Sequence, residues 1–253
     1  MSACDFALGG CAALCRAACE PLGDTAPPRA RAWLAVEHPG PWPAFGWPAD
    51  LPAAAAEVLT VAPAYDVRPQ LIRRPDRAGR AGRAVAGGRV VYLAGGPVGA
   101  RWLERRVTEG TEGAEDAEDT EDLAELEKID LAALATGDAP GFGDRVHERV
   151  LLVCTHGKRD ACCARYGAPV ARELAARGLP VWETTHLGGD QFAANMVCLP
   201  DGTYHGRLDR GSAGEVALAC LRGEVSPAYY RGRAGGQLDQ PDLATALNRR
   251  HNR

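Results

Sequence analysis

The order of predicted strands and helices in the second half of the chain limits its fold more than any other feature. Apolar runs at 149–154 and 181–185 predict two strands, and residues 165–177 between them predict a helix. Two further strands, at 195–199 and 203–208, are joined by a Pro-Asp-Gly turn, which indicates an antiparallel hairpin. This half therefore combines a parallel unit with a hairpin.

A helix over residues 213–222 is predicted to complete this half of the chain. Ser212 is its expected N-cap, and Glu215 is expected to complete a capping box. The resulting order, β-α-β followed by β-β-α, is that of the thioredoxin fold. The sequence therefore predicts an α/β protein with a thioredoxin-like fold in its second half.

The first half of the chain repeats part of this pattern. Residues 31–40 resemble residues 149–158, because each stretch is an apolar strand that runs into a loop containing His and Gly. A helix is expected at 49–59, a strand beginning near 58–62 and another strand at 90–94. The pattern predicts two tandem thioredoxin-like halves, of which only the second carries the cysteine motif.

Charge and composition suggest the domain boundaries. Residues 1–107 are predicted to form the first half and residues 145–231 the second. Residues 108–144 between them are predicted to be an acidic linker, because their Glu- and Asp-rich stretch repels itself and has little apolar surface to bury. A helix is expected over 122–134 within this linker, and residues 232–253 are expected to be a polar tail.

The overall composition excludes several classes of function. The net charge of −4 and the pI of about 5.9 argue against a nucleic-acid partner. A membrane partner is not expected either, because no run approaches the roughly 18 apolar residues that a membrane span needs. The N-terminus lacks the basic region of a secretory signal, so we expect a cytoplasmic protein. In a reducing compartment, nine cysteines indicate metal or redox chemistry rather than structural disulfides.

Two cysteines bracket a cationic loop at the end of a predicted strand. Cys154 ends the strand, and Cys163 follows after eight residues that include Lys158 and Arg159. A strand end that runs into such a loop is where α/β sheets place ligand sites. Nearby positive charge also favours the thiolate form of cysteine, which is the form that binds metals.

A histidine and an aspartate follow the second predicted strand of the same unit. His186 is expected to face Cys154, because the ends of the first two strands of this fold lie close together. Gly188 and Gly189 let the backbone approach a bulky ligand, and Asp190 lies four residues after His186. The predicted site therefore contains Cys154, Cys163, His186 and Asp190.

Five of the remaining cysteines divide into two sets. Cys11, Cys15 and Cys19 recur every four residues in a helix predicted over 5–19, so they are expected to share one face. That face either packs on the domain or forms a second metal or disulfide site. The other set, Cys198 and Cys220, is expected in the core.

Three motifs resemble those of the sucrase/ferredoxin-like family. They are Cys-Thr-His-Gly-Lys-Arg-Asp-Ala-Cys-Cys at 154–163, His-Leu-Gly-Gly-Asp-Gln-Phe-Ala-Ala-Asn at 186–195 and Leu-Pro-Asp-Gly-Thr-Tyr-His-Gly-Arg-Leu at 199–208. The stretches 20–23 and 36–42 are also similar to that family. The resemblance implies a thioredoxin-like ferredoxin, whose eukaryotic relatives hold a [2Fe–2S] cluster with two Cys and two His.

By this resemblance, Cys154 and Cys163 hold one iron and His186 the other. Asp190 stands where the family pattern has the second His, so the fourth ligand is Asp190, Cys162, His156 or a water. Such a centre implies an electron carrier or redox sensor that works with a redox partner protein, rather than a complete enzyme. A cluster-free thiol–disulfide module and a structural zinc site are the alternatives.

Overall fold

The computed structural model describes residues 10–23, 29–75, 88–108 and 121–234. The chain divides into two compact units. One unit combines residues 149–253 with residues 1–29, and we call it the cysteine unit. The other contains residues 30–148, and we call it the middle unit.

The N-terminal segment forms helix α1 (Cys11–Ala17), which is shorter than the helix predicted over 5–19. Residues 5–9 of that prediction lie outside the described residues. The helix cannot continue past Cys19, which adopts a left-handed φ of 52°. Helix α1 belongs to the cysteine unit, whereas the sequence placed it in a half spanning 1–107.

The described residues of the middle unit form five strands in the order β2-β1-β3-β4-β5. They are β1 (Ala32–Glu37), β2 (Val67–Arg73), β3 (Val90–Gly95), β4 (Trp102–Val107) and β5 (Asp144–Val146). Strand β1 is parallel to β2 and antiparallel to β3, and the remaining pairs are antiparallel. Every residue of β1 and β3 is buried, so these strands form the centre of this unit.

Helices cover the middle unit's sheet with apolar side chains. They are α2 (Ala53–Val61), its 3₁₀ extension (Ala62–Tyr65), a 3₁₀ helix (Glu121–Lys128) and α3 (Leu131–Thr136). The strand predicted near 58–62 is wrong, because these residues continue α2 and bury Leu59 in the core. Strand β2 follows, within a basic stretch that the sequence did not identify as a strand.

The predicted acidic linker, residues 108–144, is only partly described. Residues 109–120 lie outside the described residues. From Leu123 onward the segment packs on the core of the middle unit, because Leu126 and Leu134 are fully buried there. The helix predicted over 122–134 is two helices, since Asp130 accepts the N–H groups of Ala132 and Ala133 and caps α3.

The described residues of the cysteine unit form five strands in the order β10-β9-β8-β6-β7. They are β6 (Val150–Cys154), β7 (Val181–Thr184), β8 (Met196–Leu199), β9 (Thr203–His205) and β10 (Tyr230–Arg233). The first four confirm the predicted strands, with β6 parallel to β7 and antiparallel to β8. Strand β10, which pairs with β9, was not predicted. Beyond it, residues 235–253 of the predicted tail lie outside the described residues.

Besides α1, the described residues of this unit form α4 (Ala168–Ala176), α5 (Ala213–Leu221) and a short 3₁₀ helix (Asp190–Phe192), and a π-helical turn (Cys163–Gly167) precedes α4. The predicted capping box of α5 is wrong. Ser212 is already in a helical conformation and makes no side-chain cap bond. Asp209 Oδ1 instead accepts the N–H groups of Gly211 and Ser212.

Both units are mixed α/β structures with the same strand pairing. In each unit the first strand is parallel to the second and antiparallel to the third, which is antiparallel to the fourth. This agreement supports the repeat inferred from residues 31–40 and 149–158. That both units are thioredoxin-like halves stays a prediction.

We predict that Leu126 stabilises the middle unit, although the sequence assigned it to a linker. Leu126→Ala should lower the free energy of unfolding by about 2–5 kcal/mol, because it leaves a cavity in the core. Glu127→Ala is the matched control, since Glu127 is exposed and should cost less than ~0.5 kcal/mol. Urea unfolding measures both, and equal effects would contradict the packing described.

Candidate metal centre

Cys154 is the last residue of β6, and the chain returns to it through a short loop. Cys163 begins the π-helical turn that follows this loop, and its N–H donates to the carbonyl of Asp160 at 3.1 Å. Gly167, at the end of the turn, lies against the strand end, where a Cβ would collide with the Cys154 carbonyl oxygen. The turn can therefore lie close enough to β6 to place Cys163 beside Cys154.

His186 reaches the same place from the neighbouring strand. Cys154 pairs with Thr184 in the parallel register of β6 and β7, and His186 follows two residues later. The carboxyl ends of parallel strands meet at one edge of a sheet, which is where ligand sites form in α/β proteins. His186 therefore lies near the end of β6, as expected from the order of the two predicted strands.

The three side chains form one compact group. One donor atom each from Cys154, Cys163 and His186 lies within 4.8 Å of the others. Cys163 Sγ is 3.6 Å from His186 Nδ1, and both cysteines are only 1% exposed. Two sulfurs and one imidazole nitrogen are a common donor set for transition metals.

Asp190 lies beside this group rather than within it. Its Oδ1 is 4.0 Å from His186 Nε2, so it faces the ring nitrogen opposite the one near Cys163. Its Oδ2 accepts a hydrogen bond from Cys11 Sγ at 3.3 Å. Asp190 is thus an oxygen donor next to the imidazole but outside the group of three, and its predicted role as a ligand stays a prediction.

The other two residues considered for the fourth ligand lie differently. Cys162 Sγ is 3.4 Å from Cys11 Sγ and groups with Cys11 and Asp160. His156 is buried, and its backbone N–H donates to Cys154. Neither belongs to the group of three donors.

The pKa values of the two buried thiols are shifted in opposite directions. The thiol of Cys163 donates to the sulfur of Cys154, which lowers the pKa of Cys154 well below its usual value despite burial, and His186 lowers it further. The same hydrogen bond, together with burial, raises the pKa of Cys163. Cys154 is therefore the more acidic thiol of the pair, and binding a metal to both sulfurs must release the proton of Cys163.

A buried arginine that the sequence did not single out holds the loop between His186 and Asp190. Arg231 in β10 donates to the carbonyl of Gly188 at 3.2 Å and to Asn195 Oδ1 at 2.8 Å. Asn195 in turn donates to the carbonyl of Gly189 at 2.7 Å. Burial lowers the pKa of Arg231 to about 10, so it remains a cation at neutral pH.

Outside this group, Cys11 lies beside Cys162 and Cys198 lies beside Cys220, and none of the eight described cysteines forms a disulfide. Cys15 is buried and accepts a hydrogen bond from Arg207 at 3.0 Å, whereas Cys19 is exposed. The expected face of Cys11, Cys15 and Cys19 therefore does not form one site. Cys198 and Cys220 are in the core, as predicted.

The fold and the site together define an α/β protein with a buried Cys/Cys/His group that can hold a metal. A family model described as sucrase/ferredoxin-like matches residues 61–232, which is more than half of the chain. The chain belongs to the sucrase/ferredoxin-like family, which confirms the resemblance seen in its motifs.

Two individual proteins are similar to parts of the chain. "Altered inheritance of mitochondria protein 32" of Meyerozyma guilliermondii is 26% identical over an alignment of 103 residues, and the match covers 36% of this chain and 36% of that protein. The chain thus matches about a third of this relative's length. A thioredoxin-like [2Fe–2S] ferredoxin from Aquifex aeolicus is 14% identical and has a TM-score of 0.32, over 38% of this chain and 99% of the ferredoxin.

None of the helices in the described part of the chain has the length and apolar character needed to cross a membrane.

We predict that the contact between Gly189 and Arg231 is essential to the His186–Asp190 loop. Gly189 has a φ of 71°, and a Cβ there would collide with the guanidinium of Arg231. Gly178 is the matched control, because it also has a φ of 71° but nothing lies within 4 Å of its Cβ position. Gly178→Ala should cost about 1–2 kcal/mol for the backbone alone.

Gly189→Ala should cost about 1–3 kcal/mol more than this control, because it adds overpacking to the same backbone strain. Thermal and urea unfolding measure the difference. Equal costs for the two substitutions would show that Arg231 does not constrain this loop.

Proposed function

We propose that the chain holds a [2Fe–2S] cluster and transfers single electrons to or from a redox partner protein. Cys154, Cys163 and His186 would be ligands, with Asp190 as the fourth. The observation that carries this proposal is the group of two buried sulfurs and one imidazole nitrogen within 4.8 Å, at the ends of two parallel strands.

The donor set fits the proposed cluster. A [2Fe–2S] centre requires four protein ligands, and mixed Cys/His ligation is one of its established forms. The group supplies two thiols and an imidazole, and Asp190 is the adjacent carboxylate, 4.0 Å from His186. The sucrase/ferredoxin-like family to which the chain belongs gives the proposal independent support.

The charges around the site would set its reduction potential. A neutral imidazole in place of a thiolate removes negative charge and raises the potential, whereas the carboxylate of Asp190 lowers it. The cation of Arg231 interacts with Asp190 and would partly offset that carboxylate. When bound, the cluster supplies one-electron redox chemistry, and these side chains would adjust its reduction potential.

Exposure indicates where an electron would enter and leave. Cys154 and Cys163 are each 1% exposed, so water is excluded from the sulfurs. The side chains of His186 and Asp190 are 22% and 36% exposed. A redox partner protein would therefore contact the His186–Asp190 loop. The cytoplasmic location and the lack of nucleic-acid and membrane partners, expected from the sequence, form part of this proposal.

We further propose that the two units are tandem thioredoxin-like halves, of which the middle unit has lost the ligands. Their common strand pairing supports this relationship. The middle unit would then serve as structural support. Within its described residues, no group of three His, Cys, Asp or Glu donors is close enough to hold a metal.

Thiol–disulfide exchange is the second candidate function. It is favoured by the hydrogen bond between Cys163 and Cys154, which places two sulfurs side by side and lowers the pKa of Cys154. Exchange requires a thiolate nucleophile, and the lowered pKa of Cys154 favours that form. Both sulfurs are buried, however, which limits the access of a substrate disulfide.

The composition of anaerobically purified protein tests the proposed function. We expect about two iron and two sulfide ions per chain, a brown-red colour, and a paramagnetic resonance signal after one-electron reduction. Cys154→Ser and Cys163→Ser should abolish all three, whereas Cys19→Ser, at an exposed cysteine, should not. Colourless protein that contains zinc, or a Cys154–Cys163 disulfide, would refute the cluster.

We predict that Asp190 is the fourth ligand. Asp190→Ala should change the visible spectrum, and Asp190→His should raise the reduction potential, because a neutral imidazole replaces an anionic carboxylate. Spectroelectrochemical titration measures both effects. Asp190→Asn is the control for shape, because it removes the charge with little change in volume. An unchanged spectrum and potential in Asp190→Ala would exclude Asp190 as a ligand.

A further inference from the structure

A second group of metal donors lies next to the proposed cluster site and has no part in it. Donor atoms of Cys11, Asp160 and Cys162 all lie within 4.8 Å of one another. The sulfurs of Cys11 and Cys162 are 3.4 Å apart, although the residues are 151 positions apart in the chain. We propose that these three residues bind a divalent cation of zinc type, independently of the iron–sulfur cluster.

The start of α1 is shaped to bring Cys11 to Cys162. Gly10, immediately before the helix, has a φ of 78°, and a Cβ on it would lie 2.7 Å from Cys162 Sγ. Ala12, the next residue after Cys11, is fully buried in a small apolar cluster with Cys162 and Ala193. Backbone conformation and apolar packing therefore hold Cys11 beside Cys162.

Asp160 is held in place by the turn that leads to Cys162. Its Oδ1 accepts the backbone N–H of Cys162 at 2.7 Å, which fixes the carboxylate at the beginning of the helical segment. That bond alone would make Asp160 a capping residue. The hydrogen bond to Cys162 occupies only one of the two carboxylate oxygens of Asp160. The other oxygen can bind a metal together with the two neighbouring sulfurs.

The donor chemistry of the group suits zinc. Two thiolates and a carboxylate are ligands that Zn²⁺ accepts in tetrahedral sites, with a water or a further carboxylate in the fourth position. Asp190 Oδ2 accepts from Cys11 Sγ at 3.3 Å, but Asp190 is assigned to the proposed cluster, so a water would complete the zinc site. Cys162 is buried, whereas Cys11 and Asp160 are half-buried, so a cation can enter from their side.

Zinc binding to the full chain tests this site. The Cys154→Ser variant removes the cluster, and it should still bind about one Zn²⁺ per chain in competition with a chromophoric chelator. Adding Cys11→Ser or Cys162→Ser to this variant should weaken binding at least ~100-fold, because even changes outside the direct ligands cost about 10–100-fold. Adding Cys19→Ser, the matched control in the same segment, should leave the affinity unchanged.

Cobalt provides a direct view of the ligands. Co²⁺ bound to the Cys154→Ser variant should show thiolate charge-transfer absorption, which Cys11→Ser and Cys162→Ser should remove. Circular dichroism melting of each variant establishes that it is folded. Zinc affinity that does not change in Cys11→Ser, or that disappears in Cys154→Ser alone, would overturn the proposal.

The failure of this proposal can be distinguished from failure of the proposed function. Cys11→Ser in the otherwise natural chain should lose the zinc and retain its iron and sulfide. A chain without iron whose zinc depends on Cys11 would refute the cluster and support the second site. A chain that contains iron but in which Cys11 and Cys162 form a disulfide instead of binding zinc would support the cluster and refute the second site.

Discussion

The parallel pairing of β6 with β7 is the constraint on which the candidate centre depends. Its register sets Cys154 opposite Thr184, so that the chain delivers a thiol and, two residues later, an imidazole to one edge of the sheet. The cationic loop and the π-helical turn then only need to return Cys163 to that edge. A shift of this register by one residue would turn Cys154 to the other face of the sheet.

The surroundings of the centre combine a hydrogen bond between two buried thiols with the fixed charge of a buried arginine. Burial would ordinarily oppose a thiolate at Cys154, and the hydrogen bond from Cys163 outweighs that opposition. Arg231 remains charged although buried, because carbonyl and amide oxygens accept its hydrogen bonds. The same arginine fixes the two glycines between His186 and Asp190. Electrostatic tuning and loop geometry thus depend on one side chain.

The sequence predicted what short-range patterns determine. Apolar runs located the first four strands of the cysteine unit, and the strand ends located Cys154, Cys163 and His186. Strand β10 escaped detection because it carries Arg231 and Arg233, whose burial depends on distant oxygen acceptors. The cap at Asp209 depends on whether Ser212 is already helical, which composition does not determine. The approach of Cys11 to Cys162 could not be predicted, because no local pattern links positions so far apart.

The separation of Cys11 and Cys162 also bears on how the protein assembles. Their contact spans 151 positions, so it closes a loop that contains the whole middle unit. The entropic cost of closing such a loop grows only with the logarithm of its length, but the contact cannot form until residue 162 has been synthesised. Helix α1 leaves the ribosome well before residue 162 and reaches its partner late. During synthesis, its thiols would therefore remain exposed to metals and oxidants until that docking is complete.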